Sequence, residues 1–336
     1  MRGRGWWLVG FAVFAMLMAL LGLAVGSVNI PLKDVWHSLF RAENGTYDVI
    51  ILHVRLPEII TAIAAGAGLA AAGLLMQTIF LNPLAGPGVL GLTGGAALGV
   101  ALVLLAQPLW AMMPLPQDLL VTLAALSGAI AVLLLITFAD RRVGDGITLL
   151  ILGLMVGYLS AALVSVLQAS SEARALKGFV LWGLGSFGGM ELTRLPWLLV
   201  PVAIGLILAL TLVKPLNAML IGDDHARTMG VDVDRVRRRS IWISGLLAGT
   251  VTAFCGPIAF LGLAVPHVAR AFVRSADHRL LMPATILLGA GLALVCDLIV
   301  RGAWTGAVLP LNAVTSLLGV PVVLWVLLSG RKWAKR

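Results

Sequence analysis

Charge is scarce in this chain: Asp, Glu, Lys and Arg together make up 12% of its 336 residues. A soluble globular domain carries about twice that share, so a fold wetted on every side is excluded. Cysteine is nearly absent too. Cys255 and Cys296 both lie within apolar runs and read as buried small hydrophobes, not as a disulfide framework. No G-x-x-x-x-G-K-[ST] phosphate loop occurs, so the chain does not hydrolyse nucleotide by the P-loop route and any driving energy comes from elsewhere. H-E-x-x-H and G-x-S-x-G are missing as well. The histidines, His37, His53, His225, His267 and His278, show no metal-ligand spacing. No catalytic group, metal or cofactor is expected.

What remains is apolar. Hydrophobic residues form 60% of the chain and the mean hydropathy is +1.03, which points to an all-α polytopic membrane protein. A helix crossing the bilayer needs about 20 apolar residues. Windows of that length fall near 7–27, 58–80, 88–107, 117–139, 147–168, 196–213, 240–263, 280–300 and 308–329. These would put the termini on opposite sides, yet both ends are basic, with Arg2 and Arg4 at one and Arg331, Lys332, Lys335 and Arg336 at the other. The positive-inside rule then asks for an even number. A tenth, short helix over Gly262 to Phe272 supplies it, provided that protein shields it. Ten spans place 17 of the 24 Lys and Arg on the inner side, so the net charge of +9 is mostly topology. The first segment resembles a signal peptide in its MRGRG start, but its apolar run is too long for one and it reads as a retained helix.

Three other patterns have plain explanations. Arg235, Arg237, Arg238 and Arg239 lack the polar domain that a nucleic-acid patch needs around it. Gly183, Gly185 and Gly188 match G-x-G-x-x-G without the strand and acidic residue of a dinucleotide site. Asp297 and Arg301 are spaced as an i,i+4 ion pair, the alternative being an intramembrane ion site such as a coupled carrier would use. Gly91, Gly95 and Gly99, like Gly245 and Gly249, recur every four residues and give small helix faces for close packing or sliding. The interval 170–193, with Trp182 and Phe187, predicts a short interfacial helix. The longest polar interval, about 214–240, predicts two short helices around Gly222 and Gly230, the first capped by Asp223 or Asp224. It is long enough to dock a partner and too short to be a catalytic domain.

The chain begins its most distinctive stretch with RLP at Arg55 to Pro57 and continues through MQTIFLNPLAGPGVLG, LWGLGSFGG, PLNAMLIGDDHARTMGV, GPIAFLGLAVPHVAR, DHRLLMPATILLGAGLALVCDLIVR and LPLNAVTSLLGVPVVLWVLL. In this order the motifs resemble the FecCD-type permeases of type II ATP-binding cassette (ABC) importers, which include cobalamin, haem and ferric-siderophore permeases. The resemblance implies a BtuC-like fold of ten transmembrane helices in one domain over 1–336, set in the bacterial inner membrane with both termini cytoplasmic. It implies transport of a metal chelate, with cobalamin as the alternative cargo. It also implies partners: a cytoplasmic ABC ATPase dimer, a periplasmic substrate-binding protein, and a second copy or a paralogous permease, with the passage between the two. By the same resemblance Asn82 and Leu84 correspond to the inner gate. Asp145, Gly146 and Ile147 stand at its second constriction, where some relatives have Ser and Thr. Ala226, Met229 and Gly230 belong to the coupling loop on the ATPase. Arg55 and Arg301 would grip acidic residues of the binding protein, although Glu58 stands where relatives often have a further Arg.

Overall fold

The computed structural model describes residues 5–26, 28–40, 45–106, 114–143, 146–302 and 309–329. The terminal cations and Asp145 lie outside them. Every regular element among the described residues is helical. The organising one is α4, Leu56–Ile79, of which 20 of 24 residues are buried. Pro57 suits its first turn, where no backbone N–H is needed. Its run AGAGLAAAGLL then offers small side chains on every face, so helices can close on it from all sides.

Around α4 stand α9 (Leu195–Thr211), α12 (Val233–Cys255), α13 (Leu261–Val273) and α14 (His278–Arg301). The helix α1 (Trp6–Ala24) packs on α14, and α15 (Leu311–Ser329) packs on α13. A second group joins α5 (Leu92–Leu105) to α6 (Gln117–Val143) and α7 (Gly146–Ala169). Gly95 and Gly99 make the α5–α6 contact backbone to backbone: a Cβ at Gly99 would fall 2.1 Å from the Ala124 carbonyl oxygen. Close packing within the subunit accounts for that glycine series. Three short helices lie between α1 and α4 or beside the bundle: α2 (Leu32–Phe40), α3 (Thr46–Val49), which runs through a π-helical stretch into α4, and α8 (Ala173–Gly183), the helix expected in 170–193.

Ten described helices have 13 residues or more, at the ten positions read from the sequence. Length and apolar composition alone qualify five of them to cross a membrane, and six if α9 and the following α10 (Val213–Met219), bent by 53°, count as one span. The others are short, or, like α12, begin with a run of arginines. The apolar window 240–263 is not one helix. It breaks at Gly256, whose φ of 73° is open to glycine, and α13 starts only after Pro257. The helix α11 (Asp223–Thr228) takes Gly222 as its N-cap, without the side-chain cap expected from Asp223 or Asp224. Asp223 is drawn away to Arg237, and the capping carboxylate lies further on, where Asp232 accepts from the Arg235 backbone N–H at 2.9 Å and starts α12.

Candidate gate and coupling site

Because α4 is about 36 Å long at 1.5 Å per residue, its two ends belong to two separate sites. The helix α14 runs antiparallel to it and visits both, meeting Glu58 through Arg301 at one end and Thr78 through His278 at the other.

At the Arg301 end, the guanidinium lies between two carboxylates, with Nη1 at 3.3 Å from Glu58 Oε2 and Nη2 hydrogen-bonded to Asp297. Nη1 also donates to the Gly22 carbonyl at 3.4 Å. Arg55 donates to the carbonyls of Leu23, at 2.6 Å, and Val28. Both cations therefore sit on the C-terminal end of α1, where unpaired carbonyls carry partial negative charge. Arg55 is 4% exposed. The two arginines read as docking cations are thus engaged inside the chain, and Glu58 is a ligand of Arg301. The Asp297–Arg301 pair takes the i,i+4 form and gains a second acid that spacing could not reveal.

At the opposite end, α4 stops at Leu81, which adopts a left-handed φ of 46°. Asn82 then folds back on itself: its Oδ1 accepts the Leu84 backbone N–H at 2.9 Å, an Asx turn that Pro83 helps to stiffen. His267 Nε2 donates to the Pro83 carbonyl at 2.7 Å, and Gln77 Nε2 donates to the Leu263 carbonyl at 3.0 Å. The turn is in this way held by α13. Leu84 is exposed, as is Ile147 at the first turn of α7.

A cavity of about 280 Å³ lies between these parts, lined by Ile79, Phe80, Leu81, Gly146, Ile147, Asp223 and Arg237. It brings the end of α4, the start of α7 and the 220–237 segment around one space. Asp223 Oδ2 and Arg237 Nη2 are 2.8 Å apart, with the arginine side chain buried and the aspartate half-exposed. This pair fastens α11 to the base of α12 beside the gate residues.

The 220–230 segment presents a small apolar surface. Ile221 is 65% and Met229 64% exposed, and Gly230, at φ 81°, permits the turn between them and α12. Ala226 departs from expectation, being fully buried. It faces the chain because α11 is a six-residue helix whose apolar side must pack inward. Arg227 Nη2 reaches both carboxylate oxygens of Asp234, at 3.0 and 3.1 Å, and braces the same turn.

Sequence reading missed a hydrogen-bond chain behind the segment that runs from the half-buried Asn217 and Asp277 to the buried His278 and Thr78. Asn217 Nδ2 donates to Asp277 Oδ1 at 2.6 Å, its Oδ1 lies 2.9 Å from His278 Nδ1, and His278 Nε2 lies 2.9 Å from Thr78 Oγ1. Asp277 caps α14, and the Arg279 backbone N–H that it accepts, followed by Asn217, holds its carboxyl below the usual range. The motifs PLN and DHR contained these residues, but only the fold shows that they meet.

A sequence model of the FecCD transport family matches residues 14–329. The chain is 34% identical over 331 residues to the hemin transport system permease protein HmuU of Yersinia pestis, covering 97% of this chain and 96% of that one. It is equally 34% identical to the vitamin B12 import system permease protein BtuC of Escherichia coli O9:H4, with the same coverage. Among solved structures, an inward-facing metal-chelate type ABC transporter superposes with a TM-score of 0.83 at 29% identity, over 96% of this chain and 98% of that one.

Proposed function

This chain belongs to the FecCD transport family, the multi-pass permease subunits of ABC importers that work with ATPase and substrate-binding components, and from that premise we propose how its parts divide the work. Its cargo is a metal chelate, a ferric siderophore or haem. Cobalamin is the second reading, supported by the equal likeness to BtuC. The protein makes and breaks no covalent bond; hydrolysis belongs to a pair of ATPase subunits on the cytoplasmic side of a bacterial inner membrane. All ten long helices span, as one domain, with both termini cytoplasmic. A second copy, or a paralogous permease, completes the passage, for which the exposed row Ile147, Ile151, Leu154 and Tyr158 on α7 is suited.

In this reading the end carrying Asp223 and Arg237 faces the cytoplasm. Ile221, Met229 and Gly230 contact the ATPase, and Asn82, Leu84, Asp145, Gly146 and Ile147 form the inner gate. The end around Arg55 and Arg301 receives the periplasmic binding protein. There the two arginines shape the rim by holding α1, α4 and α14 together.

The observation that carries the reading is the shared cavity, which sets the gate residues Gly146 and Ile147 against Asp223, in the same segment as the ATPase-contacting residues. A movement of the segment cannot leave the gate's surroundings unchanged. The direct test replaces the exposed apolar contacts with charge. Ile221→Glu combined with Met229→Glu buries two carboxylates in any ATPase cleft, a cost of several kcal/mol, and lowers ATPase association by about a hundredfold. Co-purification is the measurement, with monodispersity of the isolated subunit as the control. Undiminished association of a well-folded double variant places the ATPase contact elsewhere.

A further inference from the structure

The helix α10 is short, bent by 53° from α9, and leads within four residues into α11. A push on α11 therefore reaches α10 first. Asn217 is the polar point at which α10, otherwise seated by the buried Leu216 and Met219, grips α14, because the amide bonds to Asp277 and to both the backbone N–H, at 2.8 Å, and Nδ1 of His278. On the far side of the imidazole stands Thr78, four residues before the gate residue Asn82 on the chain. His278 and Thr78 are buried, at 0% and 3% exposure.

The orientation of each group follows from its partners. Asp277 accepts, so the Asn217 atom facing it is the amide nitrogen and the atom facing His278 is the oxygen. The oxygen needs a proton from Nδ1, so in the neutral ring Nε2 is left as an acceptor. Thr78 Oγ1 supplies that donor at 2.9 Å, yet the same hydroxyl lies 2.8 Å from the Leu74 carbonyl of its own helix. One proton has two acceptors. When His278 withdraws, Thr78 turns to Leu74 and leaves no buried donor unpaired on α4, the outcome that makes a broken buried hydrogen bond expensive. On the Asn217 side the imidazole is held by its ring and its backbone together. The chain of bonds is thus firm toward α10 and releasable toward α4.

We infer that Asn217, His278 and Thr78 form a latch that ties the ATPase-contacting segment to the gate end of α4, made in one transport state and released in the other. The inference rests on the proposed coupling of this segment to the ATPase. It assigns a positioning role to three residues, one of them a threonine whose single hydroxyl proton has two acceptors within hydrogen-bond distance. Such an element is what a discrete switch requires, since a drive can shift an equilibrium only between states it distinguishes.

The experiment uses the permease–ATPase complex in nanodiscs, with Leu84→Cys as a reporter of gate accessibility. Cys255 and Cys296 are buried and give little background. The maleimide labelling rate is compared between the nucleotide-free and the vanadate-trapped complex, alongside ATP hydrolysis. In the reporter parent the rate changes about tenfold or more on trapping, as two gate states differing by about 1.4 kcal/mol or more require. Thr78→Val, of the same shape without the hydroxyl, hydrolyses ATP but loses most of that change, while Thr78→Ser keeps it. A Thr78→Val complex that responds as the parent does overturns the latch and leaves the coupling reading intact. A parent that itself ignores nucleotide overturns the coupling reading, and the latch with it. Should Thr78→Val fail to assemble, the parent decides: the ¹⁵N shift of His278 Nε2 moves between the two states if the latch opens, and an unchanged shift refutes it.

Discussion

Arg301 has two carboxylates and a helix end for neighbours, in a place where water is scarce: its side chain is 14% exposed and that of Asp297 2%. A buried charge network of this kind is held together by completeness. Removing one partner leaves the others desolvated and unpaired, at a cost of about 3–5 kcal/mol, whereas removing all of them at once is far milder. Arg301→Met is therefore expected to be recovered poorly from the membrane and to unfold at markedly lower temperature, and the triple change Arg301→Leu, Asp297→Leu and Glu58→Leu to be closer to the parent. Thermal unfolding in detergent checks the order. If Arg301→Met proves the milder, the cluster is solvated and its arginine is free to act outside the chain. At this scale the sequence told the pairing of Asp297 with Arg301, because i,i+4 spacing is a local property. The same sequence could not tell that Glu58 is the third member or that Asn217 meets His278, since those partners lie 243 and 61 positions apart.

Among the elements, α4 and α13 approach more closely than side chains allow. A Cβ at Gly73 would fall 1.6 Å from the Gly262 carbonyl oxygen. Alanine is favoured over glycine in a helix by about 1 kcal/mol, but here the added carbon meets backbone and cannot be accommodated without moving α13, a cost of about 3 kcal/mol or more. Gly73→Ala is expected to lower the unfolding temperature and the yield of folded protein, while Gly10→Ala, inside α1 with nothing within 4 Å, holds the parent's stability or raises it by up to about 1 kcal/mol. A harmless Gly73→Ala would mean that α13 is not seated on α4. Since α13 also carries His267, which holds Pro83, the same contact positions the 82–84 turn proposed as the gate. Long apolar periodic runs made the principal helices legible in advance. Their ends were less so: Gly256 stops α12 inside an unbroken apolar window, and Asp223, which looks like a cap, is taken by Arg237 fourteen residues further on.

At the scale of the whole molecule the described residues form a helical bundle with two chemically different ends and little charge between them. One end carries Arg55, Glu58 and Arg301 beside α1; the other carries an exposed apolar turn, the residues proposed as the gate and the arginines of α12. That polarity suits a conduit acted on from outside, as befits a family of permeases that work with ATPase and substrate-binding components. Family and overall fold could be read from ordered motifs, while cargo could not, because the chain is as similar to a hemin permease as to a vitamin B12 permease.

The central claim is that transport through this protein is driven by nucleotide hydrolysis in a partner. Its most direct measurement is uptake of labelled haemin, ferric siderophore and cobalamin, offered with the loaded binding protein, into liposomes that hold the subunit with or without its ATPase. Accumulation of one of these cargoes only when the ATPase and ATP are both present, and indifferent to a proton or sodium gradient, is the expected result. Accumulation by the subunit alone on an ion gradient would contradict the account.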